Sequence, residues 1–206
     1  MGQVGATTQS RASKVRSWST AQNATGTSTS PGLNQRRNCL FSAVWPGDMG
    51  VAVPTAFVSL GDLTSTRNSL DTMLNQIDTN TGELPESGPP LNARGSDTYQ
   101  AWTLVGVHSY VLYSNDMAWL AGATWDRYKL ATGFLVRKIV QETGLMDVTG
   151  RPDWALLDRG GQNPEGNALL YRVRRSLYRI SVQDNYSHPH RYSRTVLSWL
   201  TGSTTP

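Results

Sequence analysis

The spacing of hydrophobic positions changes character twice along the chain. Residues 1–43 hold few apolar side chains and no period, and stretches such as "STAQNATGTSTSPG" are built from Ser, Thr, Gln, Asn and Gly. Such a composition buries too little surface to offset the entropy of ordering, so this segment is expected to be disordered. A helical rhythm then begins. Val51, Ala52, Ala56, Phe57, Val58 and Leu60 predict a helix from Met49, with Asp48 as its N-cap and a kink or late start at Pro54. Leu70, Met73, Leu74 and Ile77 fall at i, i+3, i+4 and i+7, the spacing of one helical stripe, and predict a second helix over 65–77 capped by Thr64 or Ser65. A third helix follows the cap candidates Ser96 and Asp97, with Trp102, Val105, Ser109, Leu112 and Tyr113 as its inner face. A fourth covers 118–140 through Trp119, Trp125, Tyr128, Leu135 and Ile139. The segment 142–162 is rich in turn residues and suggests a short β-hairpin. Asn163 and Pro164 then open a fifth helix, because Pro is harmless at the first helical position. After Tyr171 the period blurs, and this helix is expected to end near Ile180.

Helix, short turn, helix and long polar loop repeat along the middle of the chain. This pattern predicts an all-α array of αα-hairpins whose long loops gather at one end, with helices as scaffold and loops as working face. The connection 78–96 carries Glu83, Glu86 and the Pro89-Pro90 pair, and connections of that length are usually functional or disordered; the two carboxylates and the Pro-Pro pair favour function.

Charge divides the chain at the same places. Residues 1–47 carry five bases and no acid, 48–171 carry eight bases and fourteen acids, and 172–206 carry six bases and one acid. An acidic middle thus lies between two basic flanks. Sparse bases without interleaved aromatics in the first flank give no reason to expect nucleic acid as a partner. No apolar run approaches the ~20 residues of a membrane span, so no membrane partner is expected. The N-terminus shows no secretory signal, and Ala6 stands where a myristoylation pattern wants Ser or Thr, which leaves localisation open. Cys39 is the single cysteine, which excludes an intrachain disulfide and a cysteine-based zinc site. His188 and His190 have no acid or cysteine beside them to complete a metal site. The loop from Asp78 lacks the third acid and closing Glu of a calcium loop. No metal or cofactor is expected. Asn23 and Asn185 head glycosylation sequons that matter only on a secretory route.

Several motifs together resemble a known family. "VWPGDMGVAVPTAF", "TGELPESGPPLNARGSDTYQAWTL", "SYVLYSND", "YKLATGFL" and "DWALLDRGGQNPEGNALLY" are similar to the six-hairpin glycosidases, and within them to fungal α-L-rhamnosidase-like proteins. The resemblance covers residues 44–171. It implies a partial (α/α)6 toroid of αα-hairpins that binds a carbohydrate or glycoside at one end. It also implies an inverting glycoside hydrolase chemistry with one carboxylic acid and one carboxylate base, spaced ~6.5–9.5 Å apart to admit a water. The division is then 1–43 as a basic low-complexity flank, 44–171 as the glycosidase-like domain and 172–206 as a basic C-terminal flank.

The family's run of acids ends in Trp-x-Gly-Asp, which Trp45-Pro46-Gly47-Asp48 matches, so Asp48 inherits a pocket carboxylate and Trp45 a sugar-stacking ring. The family's general acid would stand at Phe41 and a further acid at Arg36. Phe cannot move a proton, and the family's general base falls beyond the end of this sequence. The resemblance therefore implies a truncated domain without turnover as written, or a carbohydrate-binding pseudoenzyme. The flanks, which begin where the charge jumps, are expected to be foreign to the family; the spliced transcript, read for a carboxylate in place of Phe41, tests this. An open half-ring would also leave helix faces uncovered and favour self-association. Glu86 is a second catalytic candidate. Asp153 and Trp154 offer a carboxylate and an aromatic face suited to sugar, and Asp97, Tyr99, Asn163 and Glu165 lie in matching motifs as substrate-binding candidates. Each of the last four also has a plain structural role at the start of a helix. His108 is expected to be a packing residue, and a helical interaction protein with basic tails remains a third reading.

Overall fold

The computed structural model describes residues 43–149 and 160–187. The expectations for residues 1–42, including Arg36, Cys39 and Phe41, lie outside the described residues, as do those for Asp153, Trp154, His188 and His190. Six helices are described: α1 Pro46–Leu60, α2 Thr64–Asn75, α3 Asp97–Ser114, α4 Met117–Leu120, α5 Ala123–Val136 and α6 Pro164–Ser187. The class is all-α as the periodicity predicts. Among the described residues β structure is confined to two isolated antiparallel bridges, Ile139 with Met146 and Val148 with Gly161.

The helix starts show which local signals prevail. Asp48 is not the cap of α1. The helix begins three residues earlier, at Pro46, and Asp48 becomes a first-turn acid facing the helix dipole. The chain continues helically through Pro54, which only forgoes one amide bond. For α2, neither Thr64 nor Ser65 is the cap. Asp62 Oδ1 accepts from the Thr64 amide at 2.9 Å and its hydroxyl at 2.7 Å, holding the chain one residue upstream. Ser96 does cap α3, accepting from the Tyr99 amide at 3.3 Å. Asn163 caps α6, accepting from the Gly166 amide at 2.8 Å. The helix expected over 118–140 is two helices. Gly122 takes φ 71°, where a side chain would be strained, and separates α4 from α5. Ile139 lies past the end of α5 and pairs with Met146 in a hairpin. Helix α6 does not fade at Ile180 but runs to Ser187, and the change in charge at Tyr171–Arg172 falls inside it.

The helices form two layers. α1 and α3 run parallel: a Cβ on Gly47 would lie 3.3 Å from the Tyr99 ring, and Phe57 stacks on Tyr113 near the far ends. α3 and α6 also run parallel, with Arg172 over the Trp102 ring and Arg172 and Arg179 flanking His108. α2 and α5 return in the opposite sense beneath α3. Trp119 donates to Asp71 at the start of this layer, and the Ala131 carbonyl reaches Gln100 at its finish. Among the described residues, the long connection 76–96 and the described parts of the one after α5 therefore lie at the N-termini of α1, α3 and α6, and the short turns lie at the other end.

Helix α3 is the axis of the core. It touches α1, α2, α5 and α6, and from Asp97 to Val111 nearly all of its side chains are buried. Its inner face is thus broader than the predicted stripe, and Leu112, placed on that stripe, is 54% exposed. Met49 and Val53 of α1, Leu70 and Met73 of α2, Tyr128 and Leu135 of α5, and Val173 and Leu177 of α6 close around it. α1 and α3 approach closely at Gly50, where a Cβ would stand 2.6 Å from Trp102 Cε3 and 2.9 Å from the Trp102 carbonyl oxygen. Among the described residues no helix is long and apolar enough to cross a membrane.

Candidate functional site

The parallel helix starts bring most of the candidate residues to one end. At the head of α1, Trp45 is half-buried and meets the Tyr99 ring edge-on, with centroids 6.1 Å apart at 65°. Tyr99 is buried in the first turn of α3, where the Ser96 cap directs it toward α1. Asp48 is solvent-exposed one turn along α1. Trp45 and Tyr99 are therefore brought into contact, with an exposed carboxylate on the same short segment.

Asp97 is otherwise engaged. It is 3% exposed, accepts from the Thr149 amide at 3.0 Å and forms an ion pair with Lys138. Lys138 also donates to Thr149 Oγ1 at 2.8 Å and lies 4.4 Å from the Phe134 ring centroid. A buried charge needs such partners, and here they bind the 138–149 hairpin to the head of α3. Asn163 and Glu165 stand at the head of α6, behind the same hairpin. Asn167, one turn further, grips Met146 through both backbone groups, at 2.8 Å and 3.1 Å. Glu165 is exposed in the first turn, where its charge suits the helix dipole.

The connection 78–96 is ordered by hydrogen bonds although it has no regular structure. Asp78 Oδ1 accepts from the Asn80 and Thr81 amides at 2.8 and 3.1 Å, which holds its carboxyl below the usual range. The segment is thus a self-capped turn. Glu86 is half-buried, and its amide donates to Ala93 O at 2.7 Å across the bend that contains the cis Pro89–Pro90 bond. Gly88 donates to Val44 O at 2.8 Å, which lays this bend beside the entry to α1.

Two side chains that the hydrophobic pattern does not single out hold this end together. Gln100 is buried; its Oε1 accepts from Leu84 N at 3.0 Å, and its Nε2 donates to Gly82 O at 3.0 Å and Ala131 O at 2.9 Å. Arg94 donates to Glu83 O at 2.9 Å and to Gln76 O. The available signal for Gln100 was an amide four residues after a Ser cap, inside an otherwise apolar run.

An open groove of about 510 Å³ lies at the opposite, short-turn end. Phe57, Asp62, Arg67, Asp71, Tyr110 and Tyr113 line it, and none of the candidate residues does. Its aromatic wall is the Phe57–Tyr113 stack, with centroids 4.8 Å apart at 18°. Its polar groups serve one another. Tyr110 Oη donates to Asp116 at 3.0 Å, Arg67 lies 3.5 Å from the same carboxylate, and Asp71 accepts from Trp119 Nε1 at 2.7 Å. Burial, aided by the bond to Asp116, raises the Tyr110 hydroxyl above its ordinary range.

Between the ends, His108 is held neutral. Burial first, then Arg179 and Arg172, lower its pKa to about 4. Burial alone pushes the Tyr128 hydroxyl far up, and among the described residues that hydroxyl has no hydrogen-bond partner. No group of three His, Cys, Asp or Glu among the described residues could hold a metal ion. The loop end can therefore offer a polyol an aromatic edge, exposed carboxylates and ordered backbone. No protein-family model matches the chain, and no curated protein matches it.

Proposed function

We propose that residues 44–171 are an arc of a six-hairpin, glycoside-hydrolase-like toroid that receives a terminal sugar of the α-L-rhamnoside class at its long-loop end, and that this chain binds the sugar without cleaving it. The observation that carries this reading is the contact of Trp45 with Tyr99 at the heads of two parallel helices, one turn from the exposed Asp48. An aromatic surface suits the apolar face of a sugar, and a carboxylate suits its hydroxyls. Two layers of opposed helix direction, with the long loops at one end, are also what successive hairpins of such a ring require. Failure to cleave follows from Phe41, which stands where the resemblance places the general acid and has no proton to give.

Titration of the chain with methyl α-L-rhamnoside, followed by amide NMR shifts, tests the site. Binding with a Kd of about 1 mM is expected, about −4 kcal/mol, weakened at least about tenfold by Trp45→Ala, the equivalent of ~1.4 kcal/mol, and less by Asp48→Asn. Absence of binding, or binding indifferent to both substitutions, overturns the sugar site. An aryl α-L-rhamnoside should release no aryl alcohol above the blank. Release that Asp48→Asn abolishes overturns the non-cleaving part and restores a hydrolase.

A further inference from the structure

Helix α6 is amphipathic, and its exposed face is unusual in content. Leu169, Leu170, Val173, Leu177 and Ile180 are buried in the core. The opposite face presents Tyr171, Arg172, Arg175, Tyr178 and Arg179, all exposed, with Tyr171 at 66% and Tyr178 at 50%. Tyr171, Arg175 and Tyr178 stand at i, i+4 and i+7; Arg172, Arg175 and Arg179 stand at i, i+3 and i+7. Helical geometry merges these into adjacent rows on one side, with the two tyrosines ~10 Å apart along the axis.

The charge of this side is not offset. α1 has no acid after Asp48, α3 none after Asp97, and α6 none between Glu165 and Asp184. The ion pairs among the described residues are Arg67 with Asp71 and Asp116, Lys129 with Asp126 and Lys138 with Asp97, and none involves Arg172, Arg175 or Arg179. Arg172 is steadied instead by the Trp102 ring, 5.8 Å from its centroid. All the bases of this helix are arginines, whose planar groups both stack and grip phosphate. A basic amphipathic helix commonly lies on a membrane surface, but that requires its apolar face, which the core already occupies.

We propose that this exposed face of α6 binds single-stranded nucleic acid, with bases stacked on Tyr171 and Tyr178 and phosphates held by Arg172, Arg175 and Arg179. Stacking platforms interleaved with cations are the means by which proteins hold single strands without reading sequence. The exposed row from Ala168 to Arg179 contains no Asn or Gln to read base edges, so little sequence preference accompanies it. The surface is independent of the sugar site at the head of α1.

Fluorescence anisotropy of the full chain with a labelled oligo-dT, from 50 to 200 mM salt, tests the assignment. Three phosphate contacts predict a slope of log K against log salt of about −2. Arg175→Gln with Arg179→Gln should reduce that slope to about −0.7. Tyr171→Ala with Tyr178→Ala should lower affinity at least about tenfold with the slope unchanged. These side chains are exposed, so thermal melting should be unaltered, and a changed melt excludes a variant in favour of the Arg175→Lys, Arg179→Lys pair, which should keep the slope. Equal affinity for a sulfated glycan, preference for duplex DNA, indifference to the tyrosine substitutions, or no binding at 50 mM salt overturns the proposal.

Discussion

The two ends of the bundle are held by different physics. At the long-loop end, buried polar side chains replace regular structure. Gln100 satisfies three backbone groups from the loop and α5, and the Asp97–Lys138 pair fastens the 138–149 hairpin. At the short-turn end, exposed Asp62 bonds the entry to α2, and part-exposed Asp116 caps α4 and pairs with Arg67, beside an open groove. A buried polar group deprived of its partner keeps its full desolvation cost, whereas an exposed one returns to water. The loop end should therefore be brittle and the turn end tolerant, although an open groove lies at the turn end.

Four measurements test that contrast, in falling order of expected effect. Gln100→Leu orphans the Leu84 amide and the Gly82 and Ala131 carbonyls, and urea unfolding should report a loss of about 4 kcal/mol. Asp97→Ala strands Lys138 and should cost about 3 kcal/mol, with faster hydrogen exchange at Thr149 as its local sign. His108, midway between the ends, gives the next effect through pH. Its folded pKa of about 4 lies below the unfolded value of 6.5, so its contribution is complete above pH 6.5. That contribution falls as the unfolded chain takes up the proton between 6.5 and 4, by about 2 kcal/mol after allowance for its partial exposure. His108→Asn should flatten that part of the pH profile. Asp116→Ala removes the cap of α4 and should cost only about 1 kcal/mol by thermal melting. Should Asp116→Ala cost more than Asp97→Ala, the contrast between the ends fails.

What the sequence disclosed depended on how local each cause is. The stripe Leu70, Met73, Leu74 and Ile77 is buried as its spacing predicts, and the Ser96 and Asn163 caps act where the sequence places them. Those signals reside within one turn of chain. Asp48 misled because two N-terminal signals competed, and Pro46 at the first helical position prevailed over an Asp two residues later. The 118–140 pattern hid its ends because Trp125, Tyr128, Leu135 and Ile139 keep one helical phase, although that helix runs only over Ala123–Val136. Helix α3 looked one-sided because four neighbours surround it, and neighbours are not written in a single segment. Of the candidate site, the grouping of Trp45, Asp48 and Tyr99 at one end was legible from the αα-hairpin pattern. The commitment of Asp97 to Lys138, 41 residues away, was not. The rows of tyrosine and arginine on α6 lie within the helix as expected, but which of its sides the core covers is not written in the segment.

The close approach at Gly50 has a consequence for the head of the bundle. Where one methyl group would collide with Trp102, α1 has no slack to slide or roll on α3. Trp45 and Tyr99 lie five residues before Gly50 and three before Trp102, on two rods clamped at that point. The gap between the rings is thus a machined tolerance, set by a missing side chain rather than by anything at the opening itself.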